Sequence, residues 1–146
     1  MGKKTMYLAK ESEEILNRGG KPNNFSARLN SLIMRYDGIV TASTPELSVG
    51  EWLCIMDANN GTWLEADGKR GDIAARGVWL NVADSELDGL AEKWDVDLQA
   101  LSNKLREMPY HKKVAVVEMI QRFWGGGQRN NDEDYEALLR RIGAIK

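Results

Sequence analysis

At 146 residues, with 42% hydrophobic and 29% charged side chains, the chain has the size and make-up of one ordinary domain, or of a small module joined to a larger one. No apolar run approaches the length needed to span a bilayer, and the start turns acidic at Glu11 before a signal-peptide core could form, so a cytoplasmic location without a membrane partner is expected. The net charge of −2 speaks against a general nucleic-acid binder, but residues 1–40 hold seven bases and four acids whereas the rest holds thirteen bases and eighteen acids. A basic segment can hold phosphate while an acidic remainder limits unspecific binding.

Lys3–Leu8 alternates with period two, placing Lys3, Thr5 and Tyr7 on one face and Lys4, Met6 and Leu8 on the other, the pattern of a β-strand. A helix is expected from about Lys10, with Glu11, Glu13 and Glu14 at the positive end of its dipole and Gly19-Gly20 as its stop. Asn23 and Asn24 suit the N-cap of a second helix, whose Phe25, Leu29, Leu32, Ile33 and Tyr36 recur at helical spacing until Gly38. Residues 39–45 read as a linker.

Beyond it the pattern is helical. Ser48-Val-Gly-Glu51 is a capping-box sequence opening a helix to about Ala58, with Leu47 placed to staple onto Trp52. Residues 62–71 read as a loop and 73–82 as a short helix. Asp84 or Ser85 caps a helix carrying Leu87, Leu90, Ala91 and Trp94, and Asp97 opens another with Leu98, Leu101 and Leu105 inward. Pro109 fits the first turn of a helix to Trp124 that buries Val114, Val117, Ile120 and Phe123. After a glycine-rich break, a last helix from about Asp132 presents Tyr135, Leu138, Leu139 and Ile142.

A strand, a helix, a glycine break and a second helix within forty residues is an unusual layout. A lone strand needs a partner for its backbone groups, and the economical solution is a dimer in which two copies of Lys3–Leu8 pair antiparallel. Such a ribbon fits the major groove of B-DNA. The segment Lys3-Lys-Thr-Met-Tyr-Leu8, the acidic helix start, Gly19-Gly20 and Asn24-Phe-Ser-Ala-Arg-Leu-Asn-Ser-Leu-Ile-Met-Arg-Tyr36 together resemble the ribbon–helix–helix family of DNA-binding proteins. The resemblance implies base contacts from Lys3, Thr5 and Tyr7, and phosphate contacts from the start of the second helix at Asn24, Phe25 and Ser26, with Lys21 and Arg28 nearby. It also implies a dimer core of Met6, Leu8, Leu29, Leu32, Ile33 and Tyr36. Ala9 stands where that family commonly has Ser or Pro, and Tyr7 where a long polar reader is common.

The expected fold class is therefore mainly α. A ribbon–helix–helix module at 1–40, with one β-strand per subunit, precedes an all-helical domain at 41–146 that serves oligomerisation, effector binding or partner binding. The expected function is a dimeric, sequence-specific DNA-binding protein, a transcriptional repressor acting on double-stranded DNA as a homodimer or higher oligomer. The alternative is a protein-binding module, an antitoxin or inhibitor, whose helical part at 41–146 sequesters a partner protein.

Nothing in the sequence marks an enzyme, a metal site or a cofactor site. His111 has no cysteine or second histidine near it and reads as a surface residue at a helix start. The glycines at 61, 68, 71 and 125–127 lack the spacing of a phosphate loop, and Cys54, in an apolar helical pattern, reads as a buried thiol. Among the five tryptophans, Trp52, Trp94 and Trp124 read as core, while Trp63 in a polar loop is a candidate contact.

Overall fold

A computed structural model describes residues 8–20, 23–59, 84–125 and 134–146, and every regular element among them is a helix. The helices are α1 (Lys10–Leu16), α2 (Phe25–Ser43), α3 (Val49–Ala58), α4 (Asp84–Trp94), α5 (Leu98–Glu107), α6 (Tyr110–Trp124) and α7 (Tyr135–Ile142). The chain divides into two compact units, Met1–Gly38 and Ile39–Lys146. The loop and short helix expected at 62–71 and 73–82, with Trp63, lie outside the described residues.

The ribbon–helix–helix fold class is overturned. Among the described residues there is no strand, and Leu8, the one residue of the expected strand that is described, precedes α1 without regular structure. Lys3, Lys4, Thr5, Met6 and Tyr7 lie outside the described residues.

Helix α1 begins and ends where its sequence says. Glu11 and Glu13 occupy its first turn, and Ala9 stands at the N-cap with no side-chain bond to offer. Gly19 and Gly20 then take φ of +85° and +110°, a left-handed backbone that side chains with a Cβ rarely adopt. The second helix corrects the sequence reading. It does not stop at Gly38, and residues 39–43 are helix instead of linker. An internal glycine costs a helix only about 1 kcal/mol relative to alanine, and Val40 and Ser43 are buried on the continuation. The stop comes later: the Thr44 hydroxyl donates to the Val40 carbonyl at 2.7 Å, and Pro45 disfavours helical backbone at the residue before it.

In the second unit α3 is the central element. Its capping box forms as expected, with the Glu51 amide donating to Ser48 Oγ at 3.1 Å and the Ser48 amide donating to Glu51 Oε1 at 3.0 Å. Trp52, Leu53, Cys54, Ile55 and Met56 are all buried, because α3 packs on both α4 and α6, while α7 packs on α6 and α5 on α4. Leu101, Leu105, Ala115, Val116, Met119, Ile120, Phe123, Leu138 and Leu139 complete the core, and Leu47 packs against it. The phase of α6 differs from expectation. Val114 and Val117 are half-buried, while Ala115, Val116 and Met119 join Ile120 and Phe123 inside. Pro109 is the N-cap of that helix and not its first residue.

Polar groups pin these helices at chosen points. Asp57 Oδ2 accepts from Trp94 Nε1 at 2.7 Å and from Lys93 Nζ at 3.1 Å, joining α3 to α4. Trp124 Nε1 donates to the Met56 carbonyl at 3.0 Å, joining α6 to α3. The Trp52 indole N–H is buried without a partner among the described residues, a cost of about 1–3 kcal/mol that burial of a large aromatic offsets. Cys54 is fully buried, and its thiol is pushed up in pKa by burial first and by the Asp57 charge second.

Lys104 Nζ reaches both Glu51 oxygens, at 2.8 and 3.0 Å, and so ties α5 to the capping box. Burial alone would raise the Glu51 pKa, but the bond from Lys104 and those within the capping box outweigh it and hold the carboxyl below its ordinary value. A carboxylate depressed in the folded state stabilises above its unfolded pKa, and that contribution disappears as pH falls through the folded one. Glu51→Gln keeps the capping acceptor and loses the charge. Urea midpoints of wild type and Glu51→Gln are therefore expected to differ at pH 7 and to converge on acidification below the ordinary carboxylate range. A gap that stays constant with pH would contradict this role.

Candidate functional site

The part of the molecule that its own fold leaves unfinished is the N-terminal unit. Among its described residues Leu16 alone is buried, with Leu8, Leu29 and Leu32 half-buried. On α2, positions 25, 29, 32, 33 and 36 fall within roughly a third of the helix circumference. That arc holds Phe25, 44% exposed, Ile33, 56%, and Tyr36, 44%. Arg28 and Arg35 border it on one edge and Asn30 and Asp37 on the other. The helix that carries this face opens on a capped start. Asn24 accepts from the Ala27 amide at 3.0 Å through its side chain, and from the Arg28 amide at 3.0 Å through its carbonyl, which sets the helix phase one residue before Phe25.

The residues read from sequence as DNA contacts are placed as follows. Lys3, Thr5, Tyr7 and Lys21 lie outside the described residues. Asn24, Phe25 and Ser26 come together, exposed, at the start of α2, with Arg28 half-buried one turn on. The Ala27 amide at that start is taken up by Asn24, so it is not free to hold a phosphate. Of the expected dimer core, Leu29, Leu32, Ile33 and Tyr36 share one face of α2, and Leu8 is half-buried before α1.

The second unit carries an open groove of about 530 Å³, with Thr44, Pro45, Leu47, Met108 and Pro109 along it. Its charged lining is balanced, Lys104 and Lys112 against Glu46 and Glu107, and Lys104 is already engaged by Glu51. Glu46, Lys104 and Glu107 are exposed and Lys112 is half-buried, so these charges are solvated and do not mark an ion site. His111 is exposed at the start of α6, and among the described residues no group of three or more His, Cys, Asp or Glu comes together to hold a metal ion. No helix among the described residues is long and apolar enough to cross a membrane.

Sequence reasoning found the apolar face of α2 but assigned its neighbours to a ribbon. It missed the Glu51–Lys104 and Asp57–Trp94 links, which join residues 53 and 37 apart and leave no local signature. Compared with protein-family models, curated proteins and solved structures, the chain matches none of them.

Proposed function

We propose that this chain is a protein-interaction module that acts through the apolar face of α2 and not through catalysis. One observation carries the reading: the N-terminal unit buries a single leucine among its described residues while Phe25, Ile33 and Tyr36 face solvent. Residues 1–38 contain neither cysteine nor histidine, so neither a disulfide nor the usual zinc site within them accounts for that face. Unlike the alternative read from sequence, this places the contact on α2 and not on the second unit.

The test compares complexes isolated with the tagged full chain and with a Phe25→Asp/Tyr36→Asp variant, after circular dichroism shows equal helicity. A stoichiometric companion, another copy included, is expected with wild type and absent with the variant. Identical companions for both would overturn the reading.

A second reading, sequence-specific DNA binding by a transcriptional repressor, is favoured by the basic excess of residues 1–40 and by Arg28 and Arg35 on one edge of α2. It requires binding to the chain's own upstream DNA that weakens with salt and loses part of that salt dependence in Arg28→Ala/Arg35→Ala. Binding indifferent to salt and to both arginines would exclude it.

A further inference from the structure

We infer that α2 is one helix in form and two in stability, parted at Gly38, so that residues 25–38 open and close while the second unit stays folded. The inference is independent of what binds the helix. The division between the compact units falls inside α2, between Gly38 and Ile39, with no loop to mark it. The two sides are held very differently. Beyond the division Val40 is 1% exposed and belongs to the same core as Trp52, Ile55 and Leu105, and Ser43 is buried as well. Before it no residue from 25 to 38 is buried. Arg28, Leu29 and Leu32 are half-buried, and residues 33–39 are exposed without a break. That stretch makes almost two turns, so the exposure runs right round the helix.

Such a segment stands on local interactions. Isolated helices shorter than about 12–15 residues are marginal in water, and residues 25–38 fall within that length. The first unit, in which Leu16 alone is buried among the described residues, adds little to hold them. Asn24 closes one end through its bond to the Ala27 amide. At the other end stands Gly38, of the residue type that is the poorest helix former after proline, because glycine regains the most backbone freedom when the helix opens.

Packing does not ask for a glycine there. A Cβ built on Gly38 meets nothing within 4 Å, and its backbone is ordinary helix. The weakest residue of α2 thus coincides with the division between the units, and a break at that point exposes no side chain of the second core. The opening is a local unfolding well below the global one. It makes the N-terminal arm a segment whose order is set separately from that of the core.

Native-state hydrogen exchange of the full chain, read by mass spectrometry, tests this. Amides of residues 29–38 are expected to be at least about a hundredfold less protected than those in the middle of α3 and α6. Gly38→Ala is expected to slow exchange at 29–38 about fivefold and to leave α3 unchanged. The urea midpoint followed by tryptophan fluorescence should not move in that variant, because all five tryptophans lie beyond residue 38. Phe123→Ala, in the second core, is expected to do the reverse, speeding exchange in α3 and α6 and leaving 29–38 as it was. Equal protection of 29–38 and α3, or a shift of both by either variant, would overturn the inference. Weak protection at 29–38 that Gly38→Ala fails to raise would overturn it too, by placing the break elsewhere.

Discussion

Phe123→Ala is expected to destabilise the second unit by about 3–5 kcal/mol, read as a lower urea midpoint with an unchanged slope. Phe123 is fully buried, with its ring 4.8 Å from Trp124 edge-on and 5.5 Å from Tyr135, so the cavity left by truncation opens where α6 meets α7. Helix α7 is short, and its order depends on this contact. Asp134 supplies its N-cap, accepting from the Glu136 and Ala137 amides, and Gly143 at φ +87° closes it. Those caps cannot hold eight residues in helix alone. Against a total stability of about 5–15 kcal/mol typical of a domain, the loss is large enough to populate the unfolded chain. A change below about 1 kcal/mol would mean that Phe123 does not fill the α6–α7 contact.

The second large effect is a substitution that adds one methyl group. A Cβ built on Gly50 would stand 2.5 Å from the Trp94 carbonyl oxygen. That carbonyl belongs to the end of α4, where Asp95 adopts φ 53° and the Val96 amide turns back to the Ala91 carbonyl at 2.9 Å. The negative end of α4 thus lies against the first turn of α3, a favourable meeting of dipole ends that only glycine permits. Because the obstacle is backbone, Gly50→Ala must part the two helices. It is expected to cost roughly 1–3 kcal/mol even after the helix propensity gained. Gly89→Ala, in α4 with open space around it, should instead stabilise by up to about 1 kcal/mol. Thermal unfolding of the two variants should therefore move in opposite directions, and a shared direction would exclude the close approach at Gly50.

What the sequence revealed depended on how local the physics was. The Ser48–Glu51 capping box, the Asp97 cap and the Gly19-Gly20 stop are decided within a few residues, and each is found where it was read. Gly38 was misread because continuing a helix through glycine depends on what its next turn buries, here Val40 and Ser43. The phase of α6 was misread because Val114, Ala115, Val116 and Val117 make one whole turn of that helix apolar, so that turn alone does not choose the inner face. The strand at Lys3–Leu8 rested on six residues of alternation, a signal too short to carry a fold without its pairing partner. The stripe on α2 was legible residue by residue. That Phe25, Ile33 and Tyr36 on it would stay partly exposed was not, since spacing says which side chains share a face and never who covers it.

Cys54 has a practical consequence. It is the chain's single cysteine, it sits in the middle of α3 with no solvent exposure, and burial, with the Asp57 charge second, pushes its thiol pKa up. A thiol reagent can reach it only when α3 comes away from its neighbours, so at neutral pH the rate of modification follows the population of opened molecules. The protein therefore carries, at one native position, its own gauge of how often its interior opens.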